Sequence, residues 1–101
     1  KEARRIGKHL VKNGMVACSN IAGEITSFYN WKGKTNEEKE VLLLAKTREE
    51  LMDEIIREVK SLHSYEVPCI AFFPVIKANR EYEEWVEGET RKKRKGKASI
   101  K

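Results

Sequence analysis

The stretch VLLLA, residues 41–45, is apolar at five successive positions. Successive side chains of a β-strand point to opposite faces of the sheet, so a strand made of these residues is apolar on both faces. That pattern is typical of a central strand with neither face in water. Residues 67–76 have the same two-sided pattern. There Pro68 and Pro74 cannot donate ladder hydrogen bonds, which predicts a strand at a sheet edge.

The residues before the VLLLA stretch predict the rest of a long hairpin. Residues 15–22 read as a strand, Gly23 breaks it, and residues 24–32 resume extended structure. The polar residues 32–39 (KGKTNEEK) predict the turn region. Residues 41–45 then form the return strand.

Helical periodicity marks three further segments. The first places Ala3, Ile6, Leu10 and Val11 at helical spacing and ends at Asn13-Gly14. The second opens with the T-x-x-E pattern of a capping box and continues as one apolar stripe: Thr47, Glu50, Leu51, Met52, Ile55, Ile56, Val59 and Leu62. The third starts at residues 78–79 and has a predicted buried face of Tyr82, Trp85 and Val86.

The resulting order is helix, strand, strand, helix, strand, helix, which indicates an α+β fold. One more strand in front would give β-α-β-β-α-β, the ferredoxin-like split pair, followed by a C-terminal helix. We therefore expect a first strand of about ten residues upstream that is absent from this chain. Helices cover only one face of such a sheet. Since large exposed apolar surfaces mark interfaces, the simplest cover for the other face is another copy of the chain.

Composition predicts one small domain, residues 1–90, and a basic tail, residues 91–101. The 101 residues contain 40% apolar residues and 21 Lys and Arg against 16 Asp and Glu. Seven of the basic residues lie in the tail, which leaves residues 1–90 with 14 basic and 16 acidic residues. We expect a disordered tail whose alternative role is a weak, salt-sensitive contact with nucleic acid.

The sequence also argues against three classes of protein: membrane proteins, disulfide-stapled secreted proteins and enzymes. No stretch approaches the ~18–20 apolar residues that span a bilayer, so no membrane contact is expected. Two cysteines without a disulfide framework favour a reducing compartment, and we predict a cytoplasmic protein. No nucleophile elbow, P-loop, H-E-x-x-H or Cys-x-x-Cys spacing is present, so we predict that the protein is not an enzyme.

Five motifs in order resemble those of the CutA divalent-cation-tolerance proteins. Residues 15–21 (MVACSNI) resemble the family's L-A-C-x-N-I strand, and residues 27–34 (SFYNWKGK) its S-x-Y-x-W-x-G-K hairpin. Residues 40–47 carry the E-V and K-T pairs of its return strand. Residues 63–68 (HSYEVP) resemble H-P-Y-x-x-P, and residues 82–85 (YEEW) match Y-x-x-W.

The resemblance implies a ferredoxin-like subunit of a tight homotrimer, similar in build to the PII-type signalling proteins. It also implies a role in tolerance of divalent cations, copper especially, without an established catalytic activity. The family's best-known copper site uses a Cys of the first strand and two adjacent His. Leu62 occupies the first His position here, so only His63 carries over. Ser64 stands where most members have Pro.

His63 is therefore the candidate metal ligand, for Cu²⁺ or another divalent cation. The alternative is a loop histidine hydrogen-bonded to the backbone. A second set, Trp31, Glu40, Lys46 and Tyr65, is predicted to line a cleft between subunits. That cleft supports an alternative function, a PII-like sensor or scaffold that binds a small anionic metabolite. Cys18 and Cys69 are expected to be small buried residues, on strands too far apart for a disulfide within one chain.

Overall fold

The computed structural model describes residues 2–65 and 67–90 and confirms an α+β chain. The predicted basic tail, residues 91–101, lies outside the described residues. The described residues form three helices, two strands and one short 3-10 turn: α1 Glu2–Lys12, β1 Cys18–Trp31, β2 Lys34–Lys46, the 3-10 turn Glu49–Leu51, α2 Met52–Leu62 and α3 Arg80–Glu89. Within the described residues, no helix is long and apolar enough to cross a membrane.

Strands β1 and β2 form one long antiparallel hairpin. The two turn residues, Lys32 and Gly33, have φ angles of 53° and 80°. Two successive positive φ angles define a type I′ turn, whose twist matches that of the flanking strands. A two-residue turn is enough to reverse the chain. The polar residues 35–39 therefore belong to β2 and pair with β1, so the prediction that they form the turn region was wrong. Gly23 does not break the strand either, because a bulge between Ala22 and Glu24 absorbs it.

The two faces of the hairpin differ in what covers them. Leu43 is paired with Ile21 on the face toward the helices, and it packs against the core. Leu42 and Leu44 point to the opposite face and remain 43% and 49% exposed. The VLLLA stretch therefore supplies both faces with apolar side chains, as predicted. The chain's own helices cover the face that carries Leu43.

The core lies between the hairpin and helices α1 and α2. It is built from five buried aliphatic side chains: Ile6, Leu10, Val16, Ile55 and Val59. Gly7 lets α1 approach the sheet closely, because a Cβ there would lie 3.2 Å from Leu43 Cδ1 and 3.3 Å from Ser19 Cβ. The hydroxyl of Ser19 donates to the carbonyl oxygen of Gly7 at 3.1 Å, which ties strand to helix.

Residues 67–76 form no strand, so that prediction was wrong for the single chain. Ile70 and Phe72 pack against the core, while Cys69 and Phe73 face outward. Within residues 2–65 and 67–90, this segment makes no backbone–backbone hydrogen bond and the sheet has only two strands. A strand needs a ladder neighbour, and none of the described residues supplies one. The complete ferredoxin-like sheet is therefore not formed by the described residues.

Two local predictions about the helices were also wrong. The hydroxyl of Thr47 donates to the carbonyl oxygen of Met15 at 2.7 Å, so it does not cap the following helix. The chain enters α2 through a 3-10 turn, in which the Leu51 N–H donates to the Arg48 carbonyl at 3.0 Å. On α3, Trp85 is 44% exposed rather than buried.

Candidate functional site

His63 lies where α2 ends, and its imidazole faces the start of α1. The His63 N–H donates to the Val59 carbonyl at 2.9 Å, and the backbone then becomes extended. Nδ1 of His63 accepts a hydrogen bond from the Tyr65 N–H at 3.0 Å. The same nitrogen lies 3.2 Å from Oε2 of Glu2, and both side chains are about one-third exposed or less. The alternative prediction, a loop histidine bonded to the backbone, describes this contact correctly.

Glu2 is held as a carboxylate beside this imidazole. The Ser64 N–H donates to Glu2 Oε2 at 3.1 Å. That hydrogen bond is the main cause that lowers the pKa of Glu2, with a smaller contribution from the positive charge that His63 can carry. Because hydrogen bonds and nearby cations favour the ionised form, a negative charge persists next to His63 near neutral pH.

Tyr65 links His63 to the hairpin. Its ring centroid lies 4.8 Å from that of His63, and its hydroxyl donates to Glu40 Oε2 at 3.1 Å. This hydrogen bond is the main cause that raises the pKa of Tyr65, and burial adds to it. The pKa of Tyr29 is also raised, first by burial and then by the charges of Glu38 and Glu40. We refer to these groups as the carboxylate–tyrosine cluster: Glu2, Tyr29, Glu38, Glu40, His63 and Tyr65.

Trp31 and Lys46 lie elsewhere in the chain. Lys46 is paired with Cys18 at the open end of the hairpin, and its Nζ donates to Asn20 Oδ1 at 2.5 Å. Trp31 lies at the turn, where Lys32 Nζ is 5.8 Å from its ring centroid. At about 3.3 Å per residue, the 14 residues of β1 separate these ends by roughly 40 Å. One chain therefore brings together His63, Glu40 and Tyr65, and a cleft that includes Trp31 or Lys46 requires a second copy.

Sequence reasoning missed two carboxylates of the cluster. Glu38 lies two residues before Glu40, so both side chains share one face of β2. That alternation was a signal present in the sequence. Glu2 offered no such signal, because its contact with His63 joins residues 61 positions apart and depends on how α1 packs against α2.

The described residues assemble too few donors for a tight metal site. Among residues 2–65 and 67–90, no group of three or more His, Cys, Asp or Glu side chains is placed to hold a metal ion. Tight sites for transition metals use about four ligands. His63 and Glu2 supply two at most. Both cysteines are free thiols. Cys18 is half-buried, and its sulfur lies 3.9 Å from the Tyr82 hydroxyl, whereas Cys69 is exposed and not buried as predicted.

These observations define a class of protein: a helix-backed β-hairpin with an apolar outer face and a polar cluster where α2 meets the hairpin. Residues 1–89 match the family model of the CutA1 divalent ion tolerance protein, and the chain belongs to that family.

Individual relatives agree with this assignment. The divalent-cation tolerance protein CutA of Thermus thermophilus is 42% identical over 88 residues, which cover 87% of this chain and 85% of that protein. The solved Thermus thermophilus structure superimposes with a TM-score of 0.87 at 41% identity, covering 89% and 87% of the two chains. A structure from Archaeoglobus fulgidus, described as a periplasmic divalent cation tolerance protein, gives 0.86 at 38% identity, with 89% and 87% covered.

Proposed function

We propose that this protein supports divalent-cation tolerance by binding copper or another divalent metal ion weakly at intersubunit sites of a homotrimer. The observation that carries the proposal is the half-buried imidazole of His63 beside the carboxylate of Glu2. The names of its relatives, which are divalent-cation tolerance proteins, support the general role.

The hydrogen bonds of His63 suggest how it takes a metal. Nδ1 faces Glu2 and Tyr65, so Nε2 is the nitrogen that binds the ion. A neutral imidazole that binds metal through Nε2 carries its proton on Nδ1 and donates it to a neighbouring carboxylate or carbonyl. Metal binding therefore replaces the hydrogen bond that Nδ1 accepts from the Tyr65 N–H with one that Nδ1–H donates to Glu2, whose Oε2 lies 3.2 Å away. Glu2 orients the ring and increases the basicity of the metal-binding nitrogen.

Two observations support a shared site: the shortage of donors among the described residues and the exposed apolar surfaces. Leu42 and Leu44 face outward on the hairpin, and Phe73 and Ile76 in the segment 67–76 are 84% and 98% exposed. Exposed apolar surface of this extent marks an interface with another chain. Closed rings of identical copies place the same residues around one axis, so each interface adds donors from a neighbour.

The alternative function, a PII-like sensor or scaffold for a small anionic metabolite, draws on different residues. Glu2, Glu38 and Glu40 make the surroundings of His63 negative, which attracts a cation and repels an anion. Lys46 and Trp31 are the residues that suit an anionic ligand, and they lie at the two ends of the hairpin. The carboxylate–tyrosine cluster therefore favours the metal.

The test is calorimetric titration of the metal-free protein with Cu²⁺. We expect His63→Ala to abolish or greatly weaken binding, whereas His9→Ala retains it. His9 is the matched control, because it is the chain's other histidine and also pairs with a glutamate, Glu58, at 2.6 Å. An unchanged titration curve for His63→Ala would remove His63 from the site. A metabolite that raises the melting temperature more than metals do would favour the alternative.

We also propose a cytoplasmic location. The free thiols of Cys18 and Cys69 support it, since thiols stay reduced in that compartment. Cell fractionation with a periplasmic and a cytoplasmic marker tests this proposal. Recovery with the periplasmic marker, as the description of the Archaeoglobus relative suggests for that protein, would contradict it.

A further inference from the structure

A groove runs between α1 and β1, on the side of α1 that faces away from α2. It has a volume of about 320 Å³ and is lined by Arg4, Gly7, Lys8, Val11, Lys12, Ser19 and Ile21. That volume is at the lower end of the range for small-molecule sites, about 300–1,000 Å³. The groove contains none of the residues of the carboxylate–tyrosine cluster.

One wall of the groove is a row of three cations. Arg4, Lys8 and Lys12 follow one another at intervals of four residues, so their side chains line one face of α1 over roughly 12 Å. Within residues 2–65 and 67–90, the ion pairs are those of His9 and His63, so none of these three cations has a carboxylate partner there. Like charges at this spacing repel one another and destabilise a helix. A bound anion relieves that repulsion.

The floor of the groove is apolar. Val11 and Ile21 are each more than one-third exposed, although both border the core side of the sheet. The close approach of α1 to β1 at Gly7 and Ser19 brings the cationic row next to this floor. None of the described residues that line the groove is a carboxylate. Charge on one wall and apolar surface on the floor select a ligand with both properties.

We propose that this groove binds a small organic anion, with its apolar body on Val11 and Ile21 and its phosphate or carboxylate groups on Arg4, Lys8 and Lys12. Neither half of such a ligand is sufficient alone. An inorganic anion leaves the floor in water, and a neutral ring leaves the three cations unpaired. The proposal does not depend on the metal site.

The experiment uses 1-naphthyl phosphate as the probe and amide NMR spectra of the ¹⁵N-labelled full chain as the readout. We expect the probe to shift the amide signals of Gly7, Ser19 and Ile21 in a saturable way. Inorganic phosphate and naphthalene methanol should each bind far more weakly. Site-resolved shifts separate the groove from the exposed apolar face of the hairpin, where an aromatic probe also has access.

Two variants test the wall and the floor. Lys8→Glu should lower the affinity for the probe by about fivefold or more, since it reverses one unit charge at close range. Val11→Ser should also lower this affinity, because it removes apolar contact with the naphthyl ring. Lys60→Glu is the matched control, an exposed lysine in the last turn of α2, and should leave affinity unchanged. Absent shifts at the groove, equal affinity for inorganic phosphate, or equal losses in Lys8→Glu and Lys60→Glu would each overturn the proposal.

Discussion

The close approach of α1 to the hairpin predicts opposite effects for two glycine-to-alanine substitutions. Gly7 and Gly88 both lie within helices, where alanine is favoured over glycine by about 0.5–1 kcal/mol. At Gly88, apart from the helix's own backbone and the adjacent residues, no atom of the described residues lies within 4 Å of an added Cβ, so Gly88→Ala should stabilise by about that amount. At Gly7 the added methyl meets Leu43 Cδ1 at 3.2 Å and Ser19 Cβ at 3.3 Å.

Those distances are shorter than the optimal carbon–carbon contact of about 3.5–4.0 Å. The methyl of Leu43 is the flexible end of a side chain and can move. The Cβ of Ser19 is fixed to the backbone of β1, and the Ser19 hydroxyl donates a hydrogen bond to the Gly7 carbonyl, so this neighbour cannot move away easily. Overpacking of this kind costs about 1–3 kcal/mol. After the gain in helix propensity, Gly7→Ala should destabilise by about 1 kcal/mol. The two variants should therefore differ by about 1.5–2 kcal/mol.

Urea unfolding followed by circular dichroism, at one fixed chain concentration, measures this difference. The fixed concentration matters because association with other copies also changes the apparent stability. If Gly7→Ala stabilised the protein as much as Gly88→Ala does, α1 would not lie against the hairpin as described, and the account of how the core is closed would be wrong.

Three further predictions concern single contacts. Thr47→Val should destabilise by about 1 kcal/mol in urea unfolding, because it leaves the carbonyl of Met15 without its hydrogen bond, and an unchanged midpoint would contradict this. Tyr65→Phe should lose stability relative to wild type below pH 10. Since the folded pKa of Tyr65 is raised above its ordinary value near 10 by Glu40, that difference should vanish as the pH rises through the folded value, and a difference that grows instead would refute the hydrogen bond. Glu2→Gln should lose stability above the ordinary glutamate pKa near 4.5. Because the folded pKa of Glu2 is lowered, the difference should disappear as the pH falls through the folded value, and melting temperatures measured against pH decide it.

Much of the fold could be predicted from local patterns. The periodicity of α1 and its stop at Gly14, which has a φ of 69°, depend on neighbouring residues alone. The same is true of the two-sided apolar pattern in β2. Residues 67–76 differ, because a segment with the pattern of a strand forms one only when another strand pairs with it. Thr47 differs for a similar reason, since its hydroxyl donates to the distant carbonyl of Met15 and does not cap the following helix.

The site was predictable only in part. His63, Tyr65 and Glu40 were expected to be functional, and the fold brings them into contact. The pairing of Glu2 with His63 joins the start of α1 to the end of α2, and no local sequence pattern predicts a contact between residues so far apart in the chain. Trp31 and Lys46 lie at opposite ends of the hairpin, so whether they join the other residues in one cleft is a question of assembly that the sequence of one chain does not answer.

The central proposal is that the outward face of the hairpin, with Leu42 and Leu44, is covered by other copies of the chain. The most direct test is the mass of the purified protein in solution, measured by light scattering on a size-exclusion column across a range of concentrations. We predict a mass near three times the 11.7 kDa of one chain that persists on dilution. A stable, folded species at 11.7 kDa would contradict the proposal and would leave the shared metal site without its neighbouring donors.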